Sequence, residues 1–216
     1  MVGMATRKWT GAREWLLLGT VLGSVTPDLD NLAVAVATLT GGATEGLHRT
    51  VTHSLLFVEA AIIVFYVIGM VKKDARWKNL GYGLGLGILL HILVDMVLWF
   101  NGVYLLWPMG GEIGLWKEYP AGLAWLYDFN EQAAEFLFFG IFLWALGSWA
   151  RKFGTDGEFL GKLRFWMWFE FALFAIFFVL LLLGKKFAIV SGGLYLVSIL
   201  MVFFVTIRMR KTLEAA

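Results

Sequence analysis

Three short stretches carry the residues that can do chemistry. His91 and Asp95 stand four apart in LGILLHILVDMV, Asp28 and Asp30 two apart in GSVTPDLDNL, and His48 and His53 five apart in HRTVTHS. Imidazole and carboxylate groups together suit two tasks, holding a divalent cation and moving protons. The i, i+4 spacing sets His91 and Asp95 on one face of a helix, where two side chains can grip one ion. Asp28 and Asp30 flank one residue after Pro27, a compact way to aim two carboxylates into a cavity. His48 and His53 lie about 140° apart on a helix and share an ion only if the chain bends before the next apolar run. If that segment is helical, His48, Thr52 and Glu59 share a face. These are all the histidines of the chain, and none falls outside the patterns.

The elements that must position these groups are apolar. Of 216 residues 60% are hydrophobic and 16% charged, a balance outside the range of soluble domains. Long apolar runs at 15–39, 54–71, 79–107, 133–150, 165–184 and 187–207 predict an all-α polytopic membrane helix bundle of about six spans. Residues 1–216 read as a single integral membrane domain, with the motifs in 19–109 and further spans over 133–207. Gly19, Gly23 and Pro27 break the first run at the PDLD turn. The run 79–107 predicts one long helix that ends at Trp107, before Pro108. Gly81/Gly85 and Gly83/Gly87, four apart, predict close helix packing rather than a phosphate loop. With the N-terminus cytoplasmic, the clusters Arg7/Lys8/Arg13, Lys72/Lys73/Arg76/Lys78, Arg151/Lys152/Lys162/Arg164 and Arg208/Arg210/Lys211 all lie inside. Only Arg49, Lys117, Lys185 and Lys186 remain outside, so both termini are expected in the cytoplasm. The loop from Pro108 to Gln132 is then external. A net charge of +2 argues against nucleic acid as a partner, and the absence of cysteine excludes thiolate sites.

Depth counting from these spans sets Asp28, Asp30, His53, His91 and Asp95 at one level, in the middle or outer half of the membrane, with Glu131 and Glu135 at the outer entry of the fourth span. Glu170, beside Arg164, reads instead as a snorkelling or paired surface acid. An unpaired Asp at a helix centre costs about 2.5–3.5 kcal/mol, so Asp28, Asp30 and Asp95 together cost on the order of 8–10. Arg49 alone cannot neutralise them, whereas structural zinc sites are worth roughly 10–16 kcal/mol. A metal is the partner this inventory favours, with His91, Asp95, His53 and Asp30 as its ligands. Asp28, His48 and Glu59 are candidates for a base or a supporting role, and Arg49 for a phosphate contact.

In order and spacing, GSVTPDLDNL, HRTVTHSLL, LGILLHILVDMV and GVYLLWPM resemble the YdjM-type family of LexA-regulated inner-membrane proteins, described as membrane-bound metal-dependent hydrolases and grouped with zinc-dependent phospholipase C enzymes. The resemblance covers residues 19–109. It implies Asp28, Asp30, His48, His53, His91 and Asp95 as metal ligands, with Asp28, His48, Arg49 and Glu59 as candidate catalytic groups. The implied cofactor is a divalent metal, zinc by analogy, as one or two ions. The implied function is hydrolysis of phosphate esters by a metal-activated water, on a phospholipid or lipid-linked substrate, in a multi-pass protein of the inner (cytoplasmic) membrane. Glu131 stands where the soluble phospholipases carry a second histidine, four residues before Glu135, so their full three-zinc set is not expected. Two other readings stay open on the residues: a metal-ion or proton transporter or channel, and a non-catalytic protein with a structural metal.

Overall fold

A computed structural model describes residues 14–100, 102–116 and 122–216. Arg7, Lys8, Arg13 and Lys117, counted for orientation, lie outside the described residues. The described residues are all-α apart from one isolated antiparallel bridge, Val103 to Ile113. By contacts it divides into two compact units, residues 1–117 and 118–216, each described by itself.

The first unit contains α1 (Leu16–Gly23), α2 (Asn31–Thr40), α3 (Leu55–Val71) and α4 (Ala75–Val97). The break that the glycines and proline predict is present: α1 stops at Gly23, and a 3-10 turn over Pro27–Asp30 leads into α2. α4 lies against both α1 and α3, and two glycine registers make this possible. A Cβ on Gly83 or Gly87 would overlap the carbonyls of Leu16 and Thr20, and one on Gly19 or Gly23 the carbonyls of Leu80 and Leu84. α1 and α4 therefore touch backbone to backbone, while on the α3 side a Cβ on Gly81 would meet the Phe65 Cβ and the Ile62 carbonyl, and one on Gly85 the Ile62 side chain. Val58, Ile88, Ile92, Met96 and Val103 form the core below the site. Ser54 caps α3, its hydroxyl accepting from the Phe57 N–H at 3.2 Å. Asp74 caps α4 in the same way, and its hydrogen bonds from Arg76 hold its carboxyl below the usual range.

The helix predicted to run to Trp107 ends at Val97 instead. Beyond Val97 the backbone leaves the helix, and Phe100 takes a positive φ of 57°. The Tyr104 N–H donates to Arg49 O at 3.0 Å, and the Leu55 N–H donates to Leu105 O at 2.9 Å. Apolar composition extended the expected span, but these strand-like bonds hold the backbone of 103–105 against the segment that carries His48 and His53.

The second unit contains α5 (Ala124–Phe153, with a π-helical stretch over Asn130–Ala134), α6 (Leu160–Leu182), α7 (Ala188–Arg208) and the short α8 (Arg210–Ala215). Residues 124–132, expected in a loop, are helical and lengthen α5. Ala133, Phe136, Leu173 and Phe177 make its core, with Phe136 and Phe177 stacked at 5.3 Å. Glu170, expected at the surface, is fully buried. Neither of its oxygens makes a hydrogen bond of normal geometry, and Ser198 on α7 is the polar side chain that reaches it.

Among the described residues, four helices are long and apolar enough to cross a membrane: Ala75–Val97, Ala124–Phe153, Gly157–Leu182 and Ile189–Arg208. Leu55–Val71 is apolar but shorter. Ile63, Val64 and Val67 on α3 and Phe165, Trp168 and Ile176 on α6 are exposed, as lipid-facing side chains would be.

Candidate metal centre

Backbone irregularities bring the motif residues together. α1 ends at Gly23, and the Ser24 carbonyl just beyond it accepts from His91 Nδ1 at 3.0 Å across the glycine-packed interface. Between α2 and α3 the chain bends sharply: Arg49 has a φ of 60°, Thr50 sits at φ −110°, ψ −98°, and a 3-10 turn covers Val51–His53. This bend brings His48 and His53 to one side, with ring centroids 5.1 Å apart; His53 is in turn 5.2 Å from His91. A regular helix there would have kept them apart.

The hydrogen bonds fix which nitrogen of each ring carries a proton. A carbonyl only accepts, so His91 Nδ1 donates to Ser24. The Thr52 hydroxyl donates its one proton to Asp30 Oδ2 at 2.6 Å, and at 3.0 Å it therefore accepts from His53 Nδ1. His48 Nδ1 donates to Asp30 Oδ1 at 2.7 Å. Each neutral ring is thereby left with its lone pair on Nε2. Asp30 is the anchor of this arrangement, since one oxygen is held by His48 and the other by Thr52.

The Nε2 atoms of His53 and His91 face two other carboxylates. His53 Nε2 lies 3.5 Å from Asp95 Oδ2 and 3.9 Å from Asp28 Oδ1, and His91 Nε2 lies 3.5 Å from Asp28 Oδ1 and 3.8 Å from Asp95 Oδ2. His53 is fully buried, and its Nε2 is enclosed with no hydrogen-bond partner. These separations exceed a hydrogen bond, yet bonds of about 2.0–2.2 Å at a tetrahedral angle set neighbouring donor atoms about 3.3–3.6 Å apart. Two sets of three ligand atoms lie within 4.8 Å of one another and can hold a metal ion, Asp28/His48/His53 and His53/His91/Asp95, with His53 common to both. The cluster therefore passes the test of fit for a cation: in their neutral form the rings turn enclosed Nε2 lone pairs toward carboxylate oxygens.

Arg49 stands at the rim, a quarter exposed, with Nε 3.4 Å from Asp95 Oδ2. Glu59 is exposed on α3 and has no ion pair to the cluster. Glu131 and Glu135 belong to the second unit. The Ser24 carbonyl carries no signal of its own in sequence, and only the helix break before Pro27 pointed to freed backbone there. Thr52 was visible as a residue on a shared face, but its place between Asp30 and His53 depends on the non-helical bend.

Apolar helices long enough to cross a bilayer, and in the first unit a His and Asp cluster with metal-ligand spacing, define a membrane protein with a candidate metal centre. The chain belongs to the YdjM inner membrane protein family, whose model matches residues 1–211. No curated protein and no solved structure matches the chain.

Proposed function

We propose that the first unit holds a divalent metal, zinc by its nitrogen and oxygen donors, on His53 Nε2, His91 Nε2, Asp28 and Asp95, and that the protein is a membrane-embedded hydrolase of phosphate esters on a lipid or lipid-linked substrate. The observation that carries this reading is the pair of Nδ1-anchored imidazoles whose Nε2 atoms face Asp28 and Asp95. A divalent ion bound there supplies Lewis acidity toward a phosphoryl oxygen and acidifies water.

The chain's own residues divide the remaining work. Asp30 orients His48 and, through Thr52, His53, the kind of support that ligating histidines need. This exchanges the roles that the sequence suggests for Asp28 and Asp30. His48, with its side chain 23% exposed and its Nε2 lone pair available, accepts a proton near the rim or serves a second ion with Asp28 and His53. Arg49 presents a guanidinium where a phosphate oxygen would arrive. Glu59 receives no role, being exposed on α3. The broken α1–α2 segment and the 17-residue α3 complete a six-span inner-membrane bundle with both termini cytoplasmic, a reading supported by the segregation of basic residues.

Purified protein tested on labelled phosphatidic acid and lipid-linked pyrophosphate, with and without added zinc, should release phosphate only when metal is present. Arg49→Ala should raise KM more than it lowers kcat. Metal binding without hydrolysis of any phosphoester tried would support a structural metal, and zinc flux in proteoliposomes would support transport.

A further inference from the structure

The second unit carries a basic cavity far along the chain from the histidines. It has a volume of about 410 Å³ and is lined by Asp156, Phe204, Ile207, Arg208, Arg210 and Lys211. It sits at the end of Ile189–Arg208, a 20-residue apolar helix about 30 Å long, so its depth is that of the bilayer's polar boundary. The chain kinks beside it. α7 ends at Arg208, Met209 is fully buried at φ −100°, ψ 27°, and α8 begins at Arg210.

Asp156 holds that kink: its Oδ2 accepts from the Thr212 N–H at 3.1 Å and from the Thr212 hydroxyl at 2.9 Å. Its other oxygen lies 3.7 Å from Arg208. The one acid of the cavity is thus engaged, and three cations face it. Arg208 is further steadied over the Phe159 ring at 5.5 Å, while Arg210 and Lys211 are exposed. On the membrane side the lining changes character, with Phe204 59% and Ile207 46% exposed. Cations on one wall and exposed apolar side chains on the next match a molecule with an anionic head and a hydrocarbon tail. Charges that served only to orient a span would need neither the cavity nor the kink.

We propose that this cavity binds the headgroup of an anionic phospholipid, with phosphate at Arg208, Arg210 and Lys211 and an acyl chain along Phe204 and Ile207. The proposal is independent of the metal centre. Native mass spectrometry of the full-length protein, titrated with phosphatidylglycerol or phosphatidylcholine, tests it directly. The wild type should retain phosphatidylglycerol in preference to phosphatidylcholine. Affinity should fall about fivefold for each charge removed in Arg210→Gln, in the Arg210→Gln/Lys211→Gln double variant and in the triple variant with Arg208→Gln. The double variant leaves the Asp156 contacts intact, so loss of binding there is not a failure to fold. Lys185→Gln/Lys186→Gln, which lowers net charge elsewhere, should retain the lipid. Equal retention of both lipids, unchanged binding in the double variant, or an equal loss in the Lys185/Lys186 variant would overturn the assignment. Displacement of the lipid by millimolar inorganic phosphate would overturn it too, by reducing the cavity to an anion site.

Discussion

At the residue scale, the cluster shows how hydrogen bonds decide what a histidine can do. Ser24 O, Thr52 and Asp30 take up the Nδ1 protons and leave Nε2 for a ligand. Asp30→Asn should keep the fold and the four donors facing the ion, but weaken metal affinity about 10- to 100-fold, because one anchor loses its charge. A zinc titration against a competing chelator measures this, and an unchanged affinity would remove Asp30 from the supporting role. Thr52→Val should weaken binding in the same direction, since Val cannot accept from His53 Nδ1. Metal affinity should also fall as pH is lowered, because the imidazoles must lose their Nε2 proton to bind. The same titration repeated in steps from pH 8 to pH 5 checks the sign. Residue identity made a candidate metal cluster legible in sequence, but the hydrogen-bond partners that set Asp30 apart from Asp28 were not. Two carboxylates flanking one residue look alike until their partners, 18 and 22 positions away, are in place.

At the element scale, the glycines matter more than the apolar side chains around them. Gly83 and Gly87 lie on the backbone of α1, so any side chain there must push α1 away and move Ser24 from His91. Gly87→Val should destabilise by about 1–3 kcal/mol or more and reduce metal retention together, which thermal unfolding and metal analysis of one sample would show. A loss of stability with full metal retention would contradict this coupling. Glu170 makes the opposite case. Its buried carboxyl has no cation and no well-formed hydrogen bond, so Glu170→Met should raise stability by about 1–3 kcal/mol. A strong destabilisation would assign it a role that its surroundings do not reveal. Spacing alone predicted the glycine packing, because a four-residue interval is a local feature. The pairing of 103–105 with the histidine-bearing segment and the burial of Glu170 were not legible. The first depends on bonds to Arg49 and Leu55, the second on α7 lying across α6, and neither leaves a local pattern.

At the scale of the molecule, the proposed ion ties together three separate stretches of the first unit: the turn after α1, the bend before α3, and α4. A ligand that binds only the folded state stabilises it by mass action, about 4 kcal/mol when present at a thousand times its dissociation constant. Chelation should therefore lower the melting midpoint by several degrees, and zinc should restore it. Elemental analysis of the protein purified without added chelator tests the presence of that ion most directly. One to two equivalents of a divalent transition metal are expected in the wild type, falling to background in His53→Ala and His91→Ala variants that still elute as folded protein. Background metal in the wild type after exposure to zinc, or wild-type content in both variants, would contradict it.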